Sequence, residues 1–217
     1  MPKTEKEITI GAPNFKTIEF GIVGTAPYVQ NKFSAKARQQ MKETQESGST
    51  SRKGRKKEAK DFQKCYEDAQ HLSEDGWNGI PAPAFRNAMI SACRMCGFKM
   101  THAKLSVFVE PDGFDPDDGT PLVKITKGKP FYHEGTVRLP TGVADIRARP
   151  MWHPGWEANV RVQFDADQFT EEDVTNLMMR AGIQVGVGEG RPDSSKSCGM
   201  GWGTFTIEGP SKKTKKK

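Results

Sequence analysis

The chain has 217 residues, of which 35% are hydrophobic and 28% charged, with a net charge of +6. That length suits one domain with a substantial core, with or without an insertion, and excludes two independent cores. No stretch approaches the roughly 20 apolar residues of a membrane span, and the opening MPKTEKE lacks the apolar centre of a signal peptide, so a cytoplasmic protein with no membrane partner is expected.

The charge is unevenly spread. From Lys36 to Lys64 ten Lys or Arg stand against four Asp or Glu, and the tail from Lys212 to Lys217 adds five lysines, leaving the rest at −5. Basicity gathered into two segments suits contact with a polyanion, although a terminal KKTKKK equally serves solubility.

In chain order, KTIEFGIVG alternates Ile18, Phe20 and Ile22 with Glu19 and Gly21, the pattern of a core strand, and stops at GTAPYVQNKF. From Ser34 to Lys60 almost nothing is apolar, which predicts a mobile basic insertion with short helical flanks, spanning about 34–64. Order returns at WNGIPAPAFRNAMISACRMCG. Pro83 suits a first helical turn, Phe85, Ala88, Met89, Ala92 and Cys96 share one face, and Gly97 ends the helix. KLSVFVEP follows as a strand with Leu105, Val107 and Val109 alternating, then a Pro/Asp/Gly loop from Pro111 to Gly119.

The segment TGVADIRARPMWHPGWEANVRVQFD reads as a long hairpin. Its polar face would carry Arg147, Arg149 and Arg161, either as a basic binding surface or as an ordinary solvated side. Trp152, His153 and Trp156 at its tip suit contact with a base or a neighbouring subunit, or a folded-back aromatic cluster. Next, Thr170 caps a helix with an acidic first turn and a Val174, Leu177, Met178, Ala181 stripe that ends before Gly182. A glycine-rich loop, GVGEGRPDSSKSCGMGWGTF, then leads into a last strand with Phe205 and Ile207 inward. Reduced to essentials the order is βαββαβ, an α+β, ferredoxin-like (RRM-like) split βαβ with an antiparallel sheet.

The four cysteines suit reduced thiols in a cytosolic chain. Cys93-Arg-Met-Cys96 has metal spacing but no second close pair; only His102 and Cys198 could complete a site, so no metal or cofactor is expected. GEGRPDSSKS lacks Walker spacing, and GVGEGR follows a helix and opens none, which removes mononucleotide and dinucleotide sites. A nucleic-acid backbone fits the loop better. Gly188, Gly190, Gly199 and Gly201 would let main-chain amides approach phosphates, Arg191 and Lys196 would add charge, and Trp202 would stack on a base; the alternative is a tight connection with Trp202 in the core.

The first strand running into GTAPYVQNKF, the GIPAPAFRNAMISACR segment and the glycine-rich loop together resemble the RAMP superfamily of CRISPR-associated RNA-binding proteins, most of all the guide-RNA-binding backbone subunits of effector complexes. APAFRN stands where that family has a Gly-Ser-Ser run. The resemblance implies a non-enzymatic protein coating single-stranded RNA as repeated protomers, with other effector subunits as further partners and the insertion as a thumb-like element. The residues expected to touch RNA are Arg38, Arg52, Lys53, Arg55, Lys56 and Lys57 of the insertion, Lys32, Arg86, Arg147, Arg149 and Arg161, and the loop residues named above. Two alternatives stay open: a phage single-stranded DNA-binding or annealing protein, and a guide-processing ribonuclease using a histidine (His71, His102, His133 or His153) or an acidic residue such as Asp61, Asp68 or Asp75.

Overall fold

The structure, a computed structural model, describes residues 11–46, 59–138, 144–194 and 200–208. In chain order the elements are β1 (Phe15–Gly24), β2 (Tyr28–Val29), α1 (Ala35–Glu46), α2 (Phe62–Asp68), β3 (Gly79–Pro81), α3 (Ala82–Cys96), α4 (Met100–Ser106), β4 (Val107–Glu110), β5 (Gly113–Phe114), β6 (Pro121–Lys127), β7 (Phe131–Arg138), β8 (Ala144–Trp152), β9 (Glu157–Asp165), α5 (Glu171–Arg180) and β10 (Phe205–Ile207). The class is α+β with antiparallel sheets, as the alternation and the two helical stripes predict.

The larger sheet is built on β1 and β9, paired in register from Phe15 opposite Asp165 to Val23 opposite Glu157. β10 takes the other edge of β1; β4 takes the far edge of β9 beside its C-terminal half, and β6 the same edge beside its start. β3 and β5 then pair with β6. One face of this sheet is apolar because Phe20 and Ile22 of β1 and Ala158, Val160, Val162 and Phe164 of β9 alternate at the strand period. α3 lays Phe85, Ala88, Met89 and Ala92 in the same core, and α5 adds Val174, Leu177 and Met178. The Phe85 ring meets Phe205 edge-on at 5.7 Å, which ties α3 to the last strand.

The helix ends follow the sequence closely. Gly97 closes α3 at φ 69°, a left-handed cap that a side chain would strain. Thr170 Oγ1 accepts the Asp173 amide at 3.1 Å while Asp173 Oδ2 accepts the Thr170 amide at 2.9 Å, a complete capping box. Thr170→Ala is therefore expected to cost about 1 kcal/mol and lower the melting temperature by about 2–4 °C, read by calorimetry. α5 does not stop at Gly182: five residues, Ala181–Val185, continue it as a π-helical turn. A Cβ on Gly182 would lie 2.2 Å from the Phe205 carbonyl oxygen, so the glycine admits the last strand rather than ending the helix.

Two expectations are corrected, the long hairpin and the Leu105 alternation, and one open choice is decided. β8 and β9 are not arms of one hairpin: β8 leaves the large sheet and joins β2 and β7 in a separate three-stranded one. Arg147 and Arg149 on β8 thus share no face with Arg161 on β9. Of the two readings of the aromatics at the turn, the folded-back cluster is the one present: Trp152 and Trp156 are fully buried against Tyr28 at 5.3 and 5.4 Å, and Gly24 leaves the space that the Trp156 ring fills. Of the three aromatic residues named there, His153 alone is exposed, stacked on Phe131 at 4.2 Å. Leu105 lies in α4, 75% exposed, so the strand begins at Val107 instead of in the Leu105 alternation.

The flanks expected for the basic insertion are present as α1 and α2, α2 being capped by the Asp61 carboxylate on the Lys64 amide at 3.0 Å. The mobility expected between them, at 47–58, and the basic tail lie outside the described residues. Among the described residues no helix is long and apolar enough to cross a membrane.

Candidate nucleic-acid interface

The glycine-rich loop folds over one face of the small sheet. In that sheet His133 lies opposite Arg149 and Gly135 opposite Arg147, and cross-strand partners project to the same side. The other side carries Tyr132, which meets Tyr66 of α2 at 5.6 Å. The sheet is therefore covered by α2 behind and by the loop in front.

Close approach explains two of the loop's glycines. Gly188, at φ +78°, lies so near β2 that a Cβ would stand 2.6 Å from Tyr28 and from the Val29 carbonyl oxygen. Gly190, at φ +74°, lies under the Trp202 indole, 2.5 Å from where a Cβ would be. Between them the Glu189 amide donates to Val29 O at 3.0 Å, and the Trp202 amide donates to Gly190 O at 3.1 Å. Glycine here lets the loop fold on itself and onto β2 before any ligand is considered. Trp202 is half-buried, edge-on to His133 at 5.8 Å; Gly201, at φ +69°, stands in open space.

This folding gathers several predicted residues. Arg147, Arg149, Gly188, Gly190 and Trp202 converge around Glu189, an acidic residue that the sequence reading passed over. Its Oε2 lies 2.7 Å from Arg149 Nη1 and its Oε1 3.8 Å from Arg147 Nη1. Burial holds the His133 imidazole below its ordinary pKa, and the Arg149 charge lowers it further, so the ring is neutral at pH 7. Arg191 turns inward, donating from Nη1 to Gly188 O at 3.0 Å. Nearby, the Arg94 guanidinium, 2.5 Å from the Asp193 carboxylate, holds that carboxyl below the usual range despite its partial burial.

Arg147 also borders a groove of about 290 Å³ where α1, α2 and β8 meet, lined by Phe33, Lys60, Phe62, Asp145 and Ile146 among others. Phe33 and Ile146 are exposed there, at 53% and 45%. Lys60 pairs with Asp145 and holds that carboxyl below the usual carboxylate range. The groove lies between α1 and α2, the two helices that flank the basic segment in sequence. Its mixture of apolar floor and charged rim suits a flat, partly polar guest.

Of the other described candidates Lys32 lines the groove and the rest lie elsewhere; all already have partners. Lys32 is buried, its Nζ 2.8 Å from Asp115 and 2.6 Å from Asp117. Arg38 lies 3.6 Å from Asp118. Arg86 donates to the carbonyls of Val107, at 2.9 Å, and Lys104, with Phe108 under its guanidinium. Arg161 is held by Glu110, Asp112 and the Pro111 carbonyl. The cause of these pairings is not local in sequence: the carboxylates come from the Glu110–Asp118 stretch and from Glu189. Arg52, Lys53, Arg55, Lys56, Lys57, Lys196 and Gly199 lie outside the described residues, as does Cys198.

Among the residues weighed for cleavage, Asp61 is engaged as a helix cap and His71 Nδ1 lies 3.1 Å from the buried Asp115 carboxylate. His102 faces Phe98 edge-on. No group of three or more His, Cys, Asp or Glu residues suited to a metal ion occurs among the described residues. No protein-family model matches the chain, and no curated protein matches it in sequence.

Proposed function

We propose that the chain binds single-stranded RNA, coating it as repeated protomers in the manner of the RAMP backbone subunits it resembles. The observation that carries this is the meeting of Gly188, Gly190, Arg147, Arg149 and Trp202 on one face of the small sheet. A strand laid there meets guanidinium charge and an indole, the pairing that sequence-tolerant single-strand binding uses. The strand order β10-β1-β9-β4, with antiparallel neighbours and with α3 after β1 and α5 after β9, supports a ferredoxin-like core extended by the small sheet.

Matched RNA and DNA oligomers titrated by fluorescence anisotropy across a salt series test it. RNA is expected to bind more tightly, with affinity falling steeply as salt rises. DNA binding as tight as RNA would move the assignment to a single-stranded DNA-binding protein, and no binding at low salt would end it. A protein purified without nuclease treatment should also carry RNA, seen as a raised ratio of absorbance at the nucleic-acid and protein maxima.

A further inference from the structure

We propose that Glu189 is a closing group: its carboxylate occupies the place of an RNA phosphate between Arg147 and Arg149, and must swing out before the strand can bind. This rests on the RNA-binding reading above.

The contact between Glu189 and Arg149 is close without being well made. Oε2 and Nη1 are 2.7 Å apart, yet neither Glu189 Oε2 nor Arg149 Nε has a hydrogen-bond partner, and both atoms are sealed from solvent. A settled arginine–carboxylate pair is usually forked, with two parallel N–H···O bonds. Here the carboxylate meets one end of the guanidinium and leaves the Nε–H of a residue only 3% exposed without an acceptor. A backbone phosphodiester has two non-bridging oxygens, as a carboxylate does, but sets them tetrahedrally about a larger centre with longer bonds, a spacing by which one oxygen reaches Nε while the other faces Arg147.

The surroundings favour exchange. Glu189 is the more accessible partner, its side chain 28% exposed, and its hold on Arg147 is loose at 3.8 Å. The other anion beside Arg147 is Asp145, at 4.0 Å, already shared with Lys60. With Glu189 in place the two guanidiniums are largely neutralised; with it withdrawn they present a paired positive charge on the sheet face that also carries Trp202. The Glu189 backbone stays fixed, its amide bonded to Val29 O at 3.0 Å, so the exchange needs only rotation of the side chain. A carboxylate leaving as a phosphate arrives keeps the arginine charge compensated throughout, so bare RNA backbone competes for the site but a neutral ligand does not.

Glu189→Gln keeps the shape and removes the charge. With a fluorescein-labelled oligouridine RNA as probe, this variant is expected to bind about tenfold tighter than wild type, as loss of one like charge near a phosphate predicts. Its salt dependence should steepen by about 0.7 in log–log slope, one extra phosphate contact. Glu172→Gln, which removes an exposed carboxylate from the first turn of α5, controls for net charge and should change affinity less than about twofold. If wild type binds and Glu189→Gln binds no better than Glu172→Gln, Glu189 is a fixed structural partner and the gate is overturned while RNA binding stands. If only Glu189→Gln binds, the gate is supported in its strongest form; if no variant binds, both conclusions fall. Should Glu189→Gln fail to fold, Glu189→Asp draws the carboxylate back by one methylene: tighter binding than wild type supports the gate, and equal or weaker binding overturns it.

Discussion

Asp115→Asn is expected to lower the unfolding free energy by about 3–5 kcal/mol, measured as a lower urea midpoint with an unchanged slope. Asp115 is 1% exposed and joins three parts of the chain. Its carboxylate lies 2.8 Å from Lys32 Nζ, after β2, and 3.1 Å from His71 Nδ1, before β3; it also accepts the Asp117 amide at 3.0 Å within its own loop. Neutralising it leaves the Lys32 ammonium buried with only Asp117, whose side chain is 58% exposed and therefore a weaker, solvent-screened partner. Lys32→Met should cost a similar amount by taking away the buried carboxylate's ammonium partner, and Lys32→Met with Asp115→Leu should recover much of the loss, because two apolar groups need no mutual compensation. A double variant as unstable as the sum of the singles would show that the loop conformation, rather than the charge pair, carries the stability.

The two titrating groups on Asp115 bound the pH range of this tie. Burial lowers the Lys32 pKa, but Asp115 and Asp117 outweigh it and leave the ammonium above its ordinary value. Its contribution is complete below the unfolded lysine value of about 10.4 and declines only as pH rises through the still higher folded value. His71 moves the other way: burial lowers its pKa despite Asp115. The unfolded state then takes up a proton first as pH falls below about 6.5, and stability from this group falls with it. On their joint account the tie is at full strength between roughly pH 7 and 10. Because the Lys32 charge is already taken, Lys32→Met should leave RNA affinity unchanged at temperatures where it stays folded; a clear loss would mean that the buried lysine reaches the ligand.

The sequence carried the periodic elements and lost the long-range ones. Thr170 with Asp173, the Phe85–Met89 stripe and Gly97 are local signals, and the helices stand where those signals put them. The β8–β9 turn was misread for a physical reason: two alternating runs around Pro154-Gly155 look alike whether the strands pair with each other or diverge. What decides is which neighbours offer an edge, β1 and β4 to β9 but β2 and β7 to β8, and alternation does not encode that. The tryptophans at the turn had a faint signal in glycines far away. Gly24 and Gly128 provide the room for the two rings, the nearest indole atoms standing 2.0 and 3.2 Å from where a Cβ would be. The arginine surface failed similarly, since an arginine read along its own strand shows nothing of a carboxylate arriving from another part of the chain.

That neutralisation makes the basic segment the place to look for salt-dependent affinity. A cation already paired with a carboxylate releases little when RNA binds, so Lys32, Arg38 and Arg161 should contribute almost nothing to the salt slope. Arg52, Lys53, Arg55, Lys56 and Lys57 have a single acidic residue, Glu58, immediately beside them in sequence. Replacing all five by Gln should reduce the log–log salt slope by about 3.5, at roughly 0.7 per phosphate on a single strand. Because that contribution vanishes near about 1 M salt, the same slope predicts a loss of roughly a thousandfold in RNA affinity at about 0.15 M and hardly any at high salt. Melting temperature should not move, which separates lost contact from lost fold. An unchanged slope in the five-residue variant would place the RNA on another surface, and it would leave Arg147 and Arg149, once freed of Glu189, as the cations to test next.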